Sequence, residues 1–108
     1  MIIEQNGFIH HVFFWLKNEI NEDDRKLLIA GLNDLTLTPG IQNFHIGIPA
    51  STHRQVVENS YAVSWLVLFA TKEDHDSYQE DPVHLKFIAV CSHLWSKVVV
   101  YDTLGAEY

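Results

Sequence analysis

The stretch SYQEDPVHLKF, residues 77–87, sets a histidine two residues after an Asp-Pro pair and six after a tyrosine. These side chains suit proton transfer without a cofactor. An imidazole takes or gives a proton near neutral pH, and a phenol donates a hydrogen bond to a developing oxyanion or enolate. Asp81 and Pro82 read as a helix start: Asp81 caps free amides, and Pro82 fits the first helical position, where its missing N–H is not needed. His84 then lies in the first turn, at the positive end of the helix dipole, which disfavours imidazolium. A neutral His84 can act as base or acid. The plainer reading is a packed ring with one satisfied hydrogen bond.

These residues meet only if the elements around them converge. FIHHVFFWLK, 8–17, is aromatic and β-branched and reads as the first strand. Asn21 caps a helix over roughly 22–36, with Leu28, Leu32 and Leu35 as its buried stripe. Gly31 inside that helix costs about 1 kcal/mol relative to alanine, a sign that a neighbour or ligand approaches there. TPG at 38–40 ends the segment, IQNFHIGIP at 41–49 is the second strand, and 50–60 is a polar loop, a lid or a plain connection. YAVSWLVLFA, 61–70, is the third strand. Thr71 opens a short polar helix with Asp74 in its first turn. A second main helix runs from Pro82 to about Trp95, and KVVVYD, 97–102, closes the chain as the fourth strand. The order β-α-β-β-α-β predicts an α+β, ferredoxin-like fold over one domain, 1–108, with two helices on one face of an antiparallel sheet.

In that topology the end of the fourth strand lies beside the start of the first, and the second main helix begins at the same end of the sheet. His10, His84 and Asp102 gather there, and Tyr78 reaches the same mouth. Asp102 is expected to hold one ring nitrogen of His84 and so fix its tautomer. His10, Tyr78, His84 and Asp102 are the candidate catalytic set, with Phe14, Trp65, Phe87 and Trp95 as an apolar wall. Steps of four, three and four place His84 with Ile88, Cys91 and Trp95 at the head of a buried stripe.

The strands carry a second message. In the first, Val12, Phe14 and Leu16 point one way and Ile9, Phe13 and Trp15 the other. In the third, Tyr61, Val63, Trp65, Val67 and Phe69 oppose Ala62, Leu66 and Leu68. A sheet with one wet face alternates apolar with polar, and these strands do not. Left open, the face away from the helices would exceed the apolar patch a monomer usually tolerates. The expected cover is the same sheet of a second chain, in a face-to-face homodimer. His11 falls on that face and would make the interface pH-sensitive.

Lys and Arg number 7 against 14 Asp and Glu, a formal charge of −7 with no basic cluster, which argues against nucleic acid and anionic membranes as partners. No apolar run reaches membrane-spanning length, and no basic-then-apolar leader opens the chain, so a cytoplasmic protein is expected. Cys91, the only cysteine, excludes an intrachain disulfide and reads as core. Seven histidines raise the question of a metal. His10 and His11 point to opposite faces of a strand, and there is no His-x-His on a strand, no His-x-x-x-His on a helix and no cysteine pair, so no metal site is expected. His53 in the loop and His75 on the short polar helix are expected to face solvent. His45 and His93 have no obvious partner.

HHVFFWLK near the start, Y…DPVHLKF before the second main helix and VVVYD at the close resemble the stress-responsive α/β-barrel domain (Dabb) family, in the right order over nearly the whole chain. The resemblance implies a ferredoxin-like protomer that forms a dimeric α/β barrel. One plant branch of that family, olivetolic acid cyclase, uses a histidine and a tyrosine for an intramolecular aldol condensation without metal or cofactor. Those positions fall on His84 and Tyr78, its supporting aspartate on Asp102 and a pocket histidine on His10. Asp81 stands where the cyclase has another histidine, Gly31 near a pocket tyrosine, and Trp65 replaces a smaller wall residue, so the pocket implied here differs in shape. Three functions follow. The first is a cofactor-free acid/base enzyme, cyclase-like, acting on a small, partly apolar carbonyl or polyketide-like compound. The second is a non-catalytic small-molecule-binding or stress-related dimer. The third is a cofactor-independent monooxygenase, a chemistry found on other dimeric barrels of this shape. An enclosed apolar cavity at His84 favours an enzyme, and a filled core favours the plain dimer.

Overall fold

Alternation along the first strand sets the architecture. In the computed structural model, which describes residues 3–106, β1 (Phe8–Leu16) buries its even-numbered side chains and leaves the odd-numbered ones half-covered. It is followed by α1 (Glu22–Leu35), β2 (Ile41–Gly47), β3 (Val63–Phe69), α2 (Lys72–Glu80), α3 (Pro82–Cys91) and β4 (Trp95–Leu104). The strands lie in the order β2-β3-β1-β4, with antiparallel neighbours. This is the ferredoxin-like α+β arrangement. Among the described residues, no helix is long and apolar enough to cross a membrane.

The helices start where the sequence supplies caps. Asn21 Oδ1 accepts from the amides of Asp23 and Asp24, Thr71 Oγ1 from that of Asp74, and Asp81 Oδ1 from that of Val83, with Pro82 at the head of α3. The connection into β2 turns at Gly40, whose φ of +93° is open to glycine at little cost. One boundary differs from expectation. The last helix stops at Cys91, a 3₁₀ turn covers Ser92–Leu94, and Trp95 opens β4 instead of closing the helix. The aromatic and β-branched run from Trp95 gains a strand partner in β1, where Trp95 pairs with Leu16.

The core lies between the sheet and the pair α1 and α3. Val12, Phe14 and Leu16 of β1 and Val63, Trp65, Val67 and Phe69 of β3 meet Leu28, Leu32 and Leu35 of α1 and Phe87 and Cys91 of α3. Each such side chain contributes about 1.5–3 kcal/mol by leaving water. Gly31 allows the two helices to touch: a Cβ built there would run into Cys91 Sγ. The opposite face of the sheet carries an aromatic band. Phe13 meets Tyr61 and Tyr101 edge-on, at centroid distances of 4.9 and 6.1 Å. Tyr101 remains 61% exposed, and His11, Phe13 and Trp15 are half-buried. The Lys97 ammonium sits 4.6 Å from the Trp15 ring, and Trp15 Nε1 donates to Ser60 Oγ at the end of the polar loop.

Candidate functional site

The β1–β4 register fixes the first pair. His10 stands opposite Asp102, so their side chains project from the same face, and His10 Nδ1 donates to Asp102 Oδ1 at 2.6 Å. Burial pushes His10 below its ordinary pKa, and the Asp102 hydrogen bond opposes that shift. This corrects the expected pairing of Asp102 with His84. A residue directly across a strand pair is closer than the first turn of a helix above the sheet, so the carboxylate goes to His10.

His84 is held differently. The cap at Asp81 and Pro82 starts α3 so that its ring packs 4.8 Å from the ring of Tyr78. Its Nδ1 is buried and has no hydrogen-bond partner among the described residues. Burial lowers the His84 pKa, while the nearby Gln79 main chain pulls the other way. Tyr78 is buried, its oxygen accepts from Trp65 Nε1 at 3.0 Å, and burial pushes its pKa up to about 12. The phenol therefore keeps its proton at neutral pH and has it to donate.

His10, Tyr78 and His84 share a cavity of about 170 Å³ with Phe14, Trp65, Phe87 and Trp95. It opens between Ile88 on α3 and Val98 and Val100 on β4, all three exposed. Ile88 thus lines the mouth and is not part of the buried stripe expected for it. Asp102 lies behind His10 and does not line the cavity. A larger hollow of about 330 Å³ runs between α1 and α3. Its charged side chains, Asp34 and Lys86, are both exposed and its cysteine is pushed by burial to a higher pKa, so it lacks an acid/base pair and is the weaker candidate for chemistry.

His75 is the residue that sequence reasoning misplaced. Expected to face solvent, it is buried, stacked on Phe8 at a centroid distance of 4.3 Å, with its Nε2 3.9 Å from Asp102 Oδ2. The run KEDHDSYQE is polar overall, yet His75 and Tyr78 lie three apart on the one face of α2 that meets the sheet. That spacing was the available signal. His10, His75 and Asp102 bring one potential ligand atom each to within 4.8 Å of one another. His45, His53 and His93 are exposed. His11 lies on the aromatic face, its pKa lowered first by burial and then by His45.

Comparison with known proteins agrees with the fold. A family model described as Dabb, stress responsive A/B barrel domain, matches residues 8–104. No curated protein matches the chain. Among solved structures, a Dabb family protein with a ferredoxin-like fold from Mesorhizobium loti is 18% identical with a TM-score of 0.77, covering 95% of this chain and 100% of that one. A hydroxynitrile lyase from Passiflora edulis is also 18% identical at a TM-score of 0.77, covering 97% and 98%. A dimeric ferredoxin-like protein of unknown function from Thermobifida fusca is 16% identical at a TM-score of 0.75, covering 96% and 95%. At these identities the likeness is one of fold.

Proposed function

The chain belongs to the stress-responsive α/β-barrel domain family, and from that footing we propose that it is a cofactor-free acid/base enzyme acting on a small carbonyl compound. One observation carries the reading: the His84 ring, whose Nδ1 has no partner among the described residues, lines an apolar cavity that also holds a protonated tyrosine. A buried polar atom left unpaired costs about 1–3 kcal/mol, and a ligand that pairs it recovers that cost. His84 takes a proton from carbon or oxygen, and Tyr78 donates to the oxygen on which charge develops. His10, oriented by Asp102, presents a second polar contact.

Size narrows the substrate. A cavity of about 150 Å³ holds benzene, so the cavity of about 170 Å³ suits a small aromatic or short-chain carbonyl compound better than a long polyketide. That one fold neighbour is a hydroxynitrile lyase is in keeping with chemistry on this framework, but the proposal rests on the residues.

The protomer is further proposed to pair through its aromatic face, Phe13, Trp15, Tyr61 and Tyr101, giving a homodimer and a dimeric barrel. Neighbours of the same fold are described as dimeric. Sedimentation should give twice the chain mass, and Tyr101→Glu should return it to one. A wild-type monomer at micromolar concentration would refute the pairing.

The test of activity is α-proton exchange. Phenylacetaldehyde and phenylacetone in D₂O should gain deuterium beside the carbonyl faster with the protein than in buffer, and the gain should vanish in His84→Ala. Binding of these compounds without exchange would favour the second reading, a dimer that binds small molecules without turnover.

A further inference from the structure

We propose that His10, His75 and Asp102 form a binding site for one divalent transition-metal ion of zinc-like preference, beside the cavity at the β4 edge of the sheet. Local spacing hides it, because the ligands come from β1, α2 and β4. Their donor atoms lie within 4.8 Å of one another, with 2.6 Å from His10 Nδ1 to Asp102 Oδ1 and 3.9 Å from His75 Nε2 to Asp102 Oδ2. Ligands bonded at about 2.0–2.2 Å to a tetrahedral ion stand about 3.4 Å apart, so side-chain movement of about an ångström brings the three onto it. Two imidazoles and a carboxylate suit zinc, cobalt or iron rather than magnesium or calcium, which take oxygen.

The surroundings are built as for a ligand set. Both histidines are buried, and Phe8 stacks on His75 with 22° between the rings. Asp76 Oδ1 lies 3.1 Å from His75 Nδ1. That contact keeps the ring proton on Nδ1 and turns the Nε2 lone pair to the cluster, the outer carboxylate typical of a ligating histidine. The Gln79 carboxamide lies 3.4 Å from the same Nε2, and turned over it offers an oxygen as a fourth donor. The Asp102 side chain is 39% exposed and gives the ion its way in. On binding, the proton that His10 Nδ1 shares with Asp102 moves to His10 Nε2, and the ion takes the vacated lone pair. No electron changes hands. The site uses no atom of His84, and shares His10 with the cavity wall.

The experiment is a titration of tag-free, chelator-stripped protein with cobalt(II) chloride, followed by visible absorption and calorimetry. One ion per chain is expected, with ligand-field bands of a nitrogen and oxygen site. His75→Leu and Asp102→Asn should abolish the bands, and Asp76→Ala should weaken binding about tenfold to a hundredfold. His84→Ala should bind as wild type does, so loss of the carbonyl chemistry and loss of the metal site are read separately. No saturable binding by wild type, or wild-type affinity in His75→Leu, would overturn the site and leave a hydrogen-bonded His-Asp-His cluster. Should His75→Leu fail to fold, unchanged binding in Asp102→Asn overturns it equally.

Discussion

Two histidines line the same cavity and differ in what surrounds them. His10 is on a central strand, buried, and its Nδ1 is bonded to a carboxylate directly across the strand pair. His84 is on the first turn of a helix, half-buried, with a nitrogen that no described residue meets. A sheet register satisfies its own polar groups as it forms, because the partner across the ladder is fixed by the pairing. A helix start projects its side chain over the sheet without assigning a partner. The difference separates a group held by the fold from one left open to a ligand.

The sharpest way to break this contrast is to remove each ring in turn. His84→Ala should lower carbonyl α-exchange about 10²- to 10⁴-fold while costing only about 1 kcal/mol in the urea unfolding free energy, the packing of a half-buried ring against Tyr78, with no bond at Nδ1 to lose among the described residues. Asp102→Ala should do the reverse in kind. It leaves the buried His10 donor unpaired and should cost about 1–3 kcal/mol in the same unfolding experiment. Tyr78→Phe should cost somewhat less, because only the Trp65 N–H loses its acceptor, and should reduce exchange with little change in ligand affinity.

The smallest effect is in pH. The folded-state pKa of His84 lies below its ordinary 6.5, so the unfolded chain binds more protons just below that value. Stability from this group is therefore full above about pH 6.5 and declines as pH falls through the window beneath it. Urea midpoints between pH 7.5 and 5 should fall less steeply in His84→Gln than in wild type. Parallel slopes would mean that His84 is no less solvated in the fold than in the unfolded chain.

Most of the scaffold was legible because strand and helix signals were local. Asn21, Thr71 and Asp81 named their helices, and the two-sided apolar strands gave a sheet with both faces in need of cover. What was not legible depended on tertiary contact. Trp95 looked like the end of a helical stripe, and only its pairing with Leu16 places it in β4. Asp102 was assigned to the wrong histidine because only the β1–β4 register places it directly opposite His10, 92 positions away. His75 sits in a polar run, and its burial comes from Phe8 and His10, which no reading of α2 alone contains.

The most direct test of the central claim is a histidine-resolved NMR titration of the protein with and without phenylacetone, reading the His84 ring. A neutral ring is expected at pH 7, with nitrogen and carbon signals that move on ligand addition while those of exposed His93 stay still. A His84 that is charged at pH 7, or unmoved by a ligand that binds, would contradict it.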